Sequence, residues 1–117
     1  MNQTSLTQQK CQPCEGVDKP LTSSEINEKL KFVSGWTVSE NNKNISREWL
    51  TKNFMAAIEF MNRIAKLAED EGHHPDMNLS SYRRLRIDLS THAIGGLSGN
   101  DFILAAKIDQ LPVELKK

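Results

Sequence analysis

Apolar residues are spaced differently in successive stretches of the chain, and each change of period marks an element boundary. Residues 1–20 have no period; they are polar and contain Pro13, Pro20, Cys11 and Cys14, so a loosely ordered tail is expected there. Thr22-x-x-Glu25 has the capping-box pattern, in which a hydroxyl and a carboxylate three residues apart satisfy the first free helix amides reciprocally. Ile26, Leu30 and Val33 follow at helical spacing and predict a first helix to about Phe32. Trp36 and Val38 then alternate with polar residues, Asn41-Asn42-Lys43-Asn44 has turn chemistry, and Ile45 to Thr51 resumes a mixed pattern. That combination predicts a β-hairpin.

From Asn53, a good N-cap, the set Phe54, Ala57, Ile58, Met61, Ile64, Ala65 and Ala68 keeps helical spacing as far as Glu69-Asp70-Glu71, where Gly72 ends the pattern. Three acids at a helix C-terminus oppose the macrodipole, so a nearby cation or donor is required to offset them. A strand is expected over Asn78 to Tyr82, and another over Arg84 to Thr91, where Leu85, Ile87 and Leu89 share one face. A glycine-containing loop from His92 to Leu97 leads to Ser98-x-x-Asp101, a second capping box, and to a final helix through about Gln110, closed by Pro112. The order α-β-β-α-β-β-α predicts an α+β fold: a four-stranded antiparallel sheet with three helices on one face.

Composition narrows the partners. With 117 residues the chain is one domain, placed at 21–117 behind the tail. Fifteen Lys+Arg balance fifteen Asp+Glu, so it lacks the basic field with which proteins bind nucleic acid or anionic membrane. No stretch approaches the roughly 20 apolar residues of a membrane span, and a cytoplasmic location is expected. Two cysteines three positions apart cannot staple a core. Cys11-x-x-Cys14 is half a zinc site or a redox pair without its activating fold, or simply an incidental pair.

Chemistry concentrates in one region, because all three histidines, His73, His74 and His92, fall within twenty residues of one another. Imidazole gives and takes protons near neutral pH; a polar surface loop and a strand end would explain the same residues. Pro75 biases His74 toward extended backbone, which sends the adjacent rings in different directions. That adjacency lacks the i, i+4 spacing that aims two imidazoles at one metal ion, and no metal site is expected. Asp101 suits a helix cap without needing a substrate. Arg83, Arg84 and Arg86 fit a solvated strand face or an anion contact. Met55, Met61 and Met77 read as core or site lining.

The run Glu69-x3-His73-His74-Pro75, followed by Tyr82, His92 and Asp101, resembles the signature of pterin-4a-carbinolamine dehydratases. The similarity extends from about Leu21 to Asp109, and Cys11-x-x-Cys14 resembles the tail of bacterial members. The resemblance implies a 4a-hydroxytetrahydrobiopterin dehydratase, a carbon-oxygen lyase that converts 4a-hydroxytetrahydropterin to quinonoid dihydropterin and water. It further implies assembly into homodimers or homotetramers and a functional link to an aromatic amino acid hydroxylase. The pterin is the substrate, and no cofactor is implied. By the same resemblance His73 and His92 transfer protons and His74 binds and orients the pterin. Glu69 would support His73, Asp101 would support His92, and Pro75 would shape the loop. Met77 stands where many relatives carry an aromatic wall. Relatives of this fold also serve as dimerisation cofactors or assembly factors, a binding role that has no need of three imidazoles.

Overall fold

A computed structural model of the chain describes residues 19–116 together with Gln8. The cysteine pair and nearly all of the expected tail lie outside the described residues. Helix α1 spans Ser23–Leu30 and starts as its capping box requires: Thr22 Oγ1 accepts from Glu25 N at 3.2 Å, and Glu25 Oε1 accepts from Thr22 N at 2.9 Å. It ends slightly before Phe32 because the next amides, on Phe32 and Val33, reach carbonyls three residues back rather than four.

The hairpin strands are β1, Thr37–Val38, and β2, Ile45–Leu50. Helix α2 covers Phe54–Glu71, with the Asn53 side chain accepting from Ala56 N at one end and Gly72 in the left-handed region, φ 67°, at the other. The acidic C-terminus has its cation: Lys107 Nζ donates to Glu71 Oε2 at 2.8 Å, with both side chains largely buried. Strand β3 is Asp76–Ser80 and β4 is Arg84–Leu89. The first of these begins and ends two residues earlier than the expected Asn78 to Tyr82. Ser81 and Tyr82 take positive φ angles, 49° and 54°, and turn the chain into β4. A short 3-10 turn, His92–Ile94, precedes helix α3, Gly99–Asp109.

The strand order is β1-β2-β4-β3 with every neighbour antiparallel, which agrees with the expected α+β architecture. Ile45, Trp49, Leu85, Ile87 and Leu89 are buried from one sheet face, where they join Ile26 of α1, Phe60 and Ile64 of α2, and Phe102 and Ile108 of α3 in one core. Helix α3 is buried on nearly every side, as an apolar run of Phe102 to Ala106 demands. Glu48, Arg84 and Arg86 are exposed on the opposite sheet face; Arg84 lies 3.7 Å from Glu48, and Arg86 lies 3.1 Å from Asp88. Two of the three clustered arginines are therefore a solvated strand face. Met61 packs against the core, whereas Met55 is 60% exposed, so of the two expected roles, core or site lining, the core one does not apply to Met55. No helix among the described residues is long and apolar enough to cross a membrane.

One polar node joins the end of α3 to the hairpin. Trp36 Nε1 donates to Asp109 Oδ1 at 2.9 Å, and Arg47 donates to the same oxygen at 2.7 Å. Burial pushes the Asp109 carboxyl above its ordinary range, against the pull of both donors. Trp36 and Trp49 meet edge to face with centroids 5.8 Å apart, and Trp49 meets Phe60 likewise at 5.1 Å.

Candidate active site

The end of α2 sets the position of two histidines. Gly72 N donates to Glu69 O at 3.3 Å and His73 N to Ala68 O at 3.2 Å, which satisfies two of the last four carbonyls of the helix around a left-handed residue. This reversal turns His73 into the protein, where it is 6% exposed and its Nε2 lies 2.6 Å from Asp101 Oδ1. His74 leaves in the other direction. Its side chain is exposed, and its Nε2 lies 3.0 Å from Glu69 Oε1. The divergence expected from Pro75 is present.

The acid partners differ from those expected. Glu69 serves His74, not His73, because the turn at Gly72 sends His73 inward and leaves His74 facing the last turn of the helix. Asp101 serves His73, not His92, because Asp101 is wholly buried at the start of α3 while His92 is exposed on the 3-10 turn. The structural and chemical readings of Asp101 hold together: Oδ2 accepts from Ser98 N at 3.0 Å as the helix cap, and Oδ1 faces the imidazole.

Gly72, His73, His74, Ser90, His92 and Ala93 line one cleft of about 190 Å³. Two loops separated in sequence thus bring all three imidazoles to one place. A larger polar cleft of about 510 Å³ adjoins it, with Ser90 and His92 on both walls and Lys43, Asn44, Asp76 and Asp88 beyond them. Pro75 is half-buried beside the site. Met77, on strand β3, pairs with Ile87 of β4, is 36% exposed, and is not among the residues that line these two clefts. Among the described residues, no three His, Cys, Asp or Glu side chains are grouped as a metal ion would need.

The sequence reading missed Thr91 as a site residue and read Ser98 only as a cap. Thr91 Oγ1 donates to Asp101 Oδ2 at 2.9 Å and lies 2.7 Å from Ser98 Oγ. Both residues are buried, and Thr91 pairs through its backbone with Gly96. The neighbouring His92 was the available signal, but nothing local tells that the loop folds back to bring Thr91 onto Asp101.

A family model described as pterin 4 alpha carbinolamine dehydratase matches residues 19–111. The chain belongs to this family. The resemblance read from Glu69 to Asp101 is therefore borne out, and so is the fold it implied. One relative, named pterin-4-alpha-carbinolamine dehydratase 2, mitochondrial, from Arabidopsis thaliana, is 43% identical over 93% of the chain; the chain spans 60% of that relative's length. Two others, each named putative pterin-4-alpha-carbinolamine dehydratase, are 40% identical over 97% of the chain in Methylococcus capsulatus and 46% identical over 94% in Nitrosomonas europaea, and are themselves covered to 99% and 96%. The crystal structure of a transcriptional coactivator/pterin dehydratase from Brucella melitensis superposes with a TM-score of 0.72 at 34% identity, over 78% of this chain and 96% of that one. The four-stranded sheet and the three helices described above are thus those of a family fold.

Proposed function

We propose that the chain is a lyase that dehydrates 4a-hydroxytetrahydropterin to quinonoid dihydropterin. The observation that carries this reading is the convergence of three imidazoles from two loops on one cleft, in a chain of this family. The reaction needs little else. The C4a–O bond breaks, the departing hydroxyl takes a proton to become water, N5 gives up its proton, and a C4a=N5 double bond forms. One imidazole that starts protonated and one that starts neutral supply both transfers, so the pterin is substrate and the chemistry calls for no cofactor. His73 and His92 are the proposed proton-transfer residues, and His74, tied to Glu69, binds and orients the ring. Pro75 is proposed to shape the loop by disfavouring helical backbone at His74.

The same proposal includes a homo-oligomer, a cytoplasmic location and a supply of substrate from an aromatic amino acid hydroxylase, the class of enzyme that leaves a hydroxyl on C4a. A pure binding role is not favoured, since it gives no reason to hold one imidazole on a buried carboxylate. The test is the dehydration rate of freshly generated 4a-carbinolamine with and without the protein. A rate well above the spontaneous one is expected, and a rate equal to it overturns the reading.

A further inference from the structure

The carboxylate behind His73 is fixed by a chain of hydroxyls whose direction can be worked out. A carboxylate only accepts, and each hydroxyl has one hydrogen to give. Thr91 Oγ1 lies 2.9 Å from Asp101 Oδ2, so Thr91 gives its hydrogen there. The 2.7 Å contact between Thr91 Oγ1 and Ser98 Oγ must then be donated by Ser98, whose oxygen in turn accepts from Asn100 N at 3.2 Å. Oδ2 also receives Ser98 N at 3.0 Å. With both of these donors on Oδ2, Oδ1 is turned toward His73 Nε2 at 2.6 Å. Thr91, Ser98 and Asp101 are all buried, and no buried side-chain nitrogen or oxygen among the described residues lacks a partner. Such a fully satisfied network has one arrangement.

We propose that Thr91 and Ser98 are positioning residues that, through Asp101, hold neutral His73 with its proton on Nε2 and make Nδ1 the nitrogen that exchanges a proton with the substrate. An acceptor-only partner on Nε2 leaves a lone pair on Nδ1, and His73 lines the cleft. Whether His73 takes the N5 proton or protonates the departing hydroxyl, the transfer runs through Nδ1. The Nε2–H bond to Asp101 stays intact, and His92 makes the complementary transfer. This inference rests on the proposed dehydration for its kinetic part and on the network alone for the tautomer.

The experiment is 15N NMR of the full-length protein labelled at histidine, combined with steady-state kinetics on 4a-carbinolamine. In the wild type the neutral His73 ring is expected to show a protonated Nε2 and a bare Nδ1; a protonated Nδ1 overturns the proposal. Thr91→Val is expected to mix the two tautomers and to lower kcat about 10- to 100-fold, as a misplaced reacting group does, with KM nearly unchanged. Thr91→Ser, which keeps the hydroxyl, is expected to restore the tautomer and most of the rate. A merely structural Thr91 would lower the melting temperature and leave tautomer and kcat alone, which also overturns the proposal. Should Thr91→Val not fold, Ser98→Ala reads the same network one donor further back, and the wild-type spectrum decides the tautomer without any variant. A wild type that does not dehydrate the carbinolamine sinks the proposed function, and the spectrum still separates that failure from this one.

Discussion

His73 and His92 differ in burial, and their variants should differ accordingly. Loss of a general acid or base costs on the order of 100- to 10,000-fold, so His73→Ala and His92→Ala are both expected to lower turnover by that order while secondary structure persists. Wild-type rates in both variants would remove their assigned roles. His73→Ala carries a second effect, because it takes a partner from the buried Asp101 carboxylate, which costs about 1–3 kcal/mol. Its melting temperature should fall, and that of His92→Ala, truncated on an exposed turn, should not. His74→Ala should act on KM rather than kcat, since this exposed ring is assigned to binding; a pure loss of kcat would exchange its role with one of the others.

At the level of elements, the same local devices set structure and site. Gly72 ends α2 and in doing so points His73 inward; the Ser98 cap starts α3 and in doing so anchors the carboxylate that His73 meets. The Asp109 node ties α3 to the hairpin and gives a pH signature. Its folded-state pKa is raised above the ordinary value near 3.8, chiefly by burial. A raised acid binds its proton more tightly when folded, so its contribution to stability is present below 3.8 and is lost as pH rises through the raised value. Asp109→Asn cannot titrate. The stability of wild type minus that of Asp109→Asn should therefore decline as pH rises through that window and flatten above it, as read by denaturant titrations at a series of pH values. A difference that grows with pH would reverse the sign of the burial effect.

For the whole molecule, the sheet leaves β3 as one edge. Asp76 is its only charged residue, none of its residues is fully buried, and Met77 shows 36% of its surface. An edge with one charge and no proline is a template for pairing with another strand, and a symmetric pairing would use the same edge on two copies. Light scattering at micromolar concentration is expected to report at least twice the 13.2 kDa of one chain. A monomer would remove the interface and leave the cleft intact, because all three histidines come from one chain. Activity is also expected to survive a strong chelator, since the proposed proton transfers use imidazoles alone; inactivation reversed by added zinc would overturn that expectation.

What the sequence by itself determined lies within a few residues' reach. The caps at Thr22, Asn53 and Ser98, the stop at Gly72 and the alternation of Leu85, Ile87 and Leu89 depend on hydrogen bonds and periods internal to one element, so residue types report them directly. The set of three histidines and its family resemblance were legible for the same reason. Tertiary structure alone decided which acid serves which imidazole. The sequence offers Glu69 four positions before His73 and Asp101 nine after His92, and both proximities mislead. A left-handed Gly72 reverses the direction of the side chains that follow it, and the backbone pairing of Thr91 with Gly96 helps bring Thr91 onto Asp101, whose other oxygen meets the histidine at the end of α2. The end of β3 was hidden likewise, because Ser81 and Tyr82 adopt positive φ angles that neither residue type announces. Contacts between distant segments depend on how the core packs, and no local pattern in the chain encodes them.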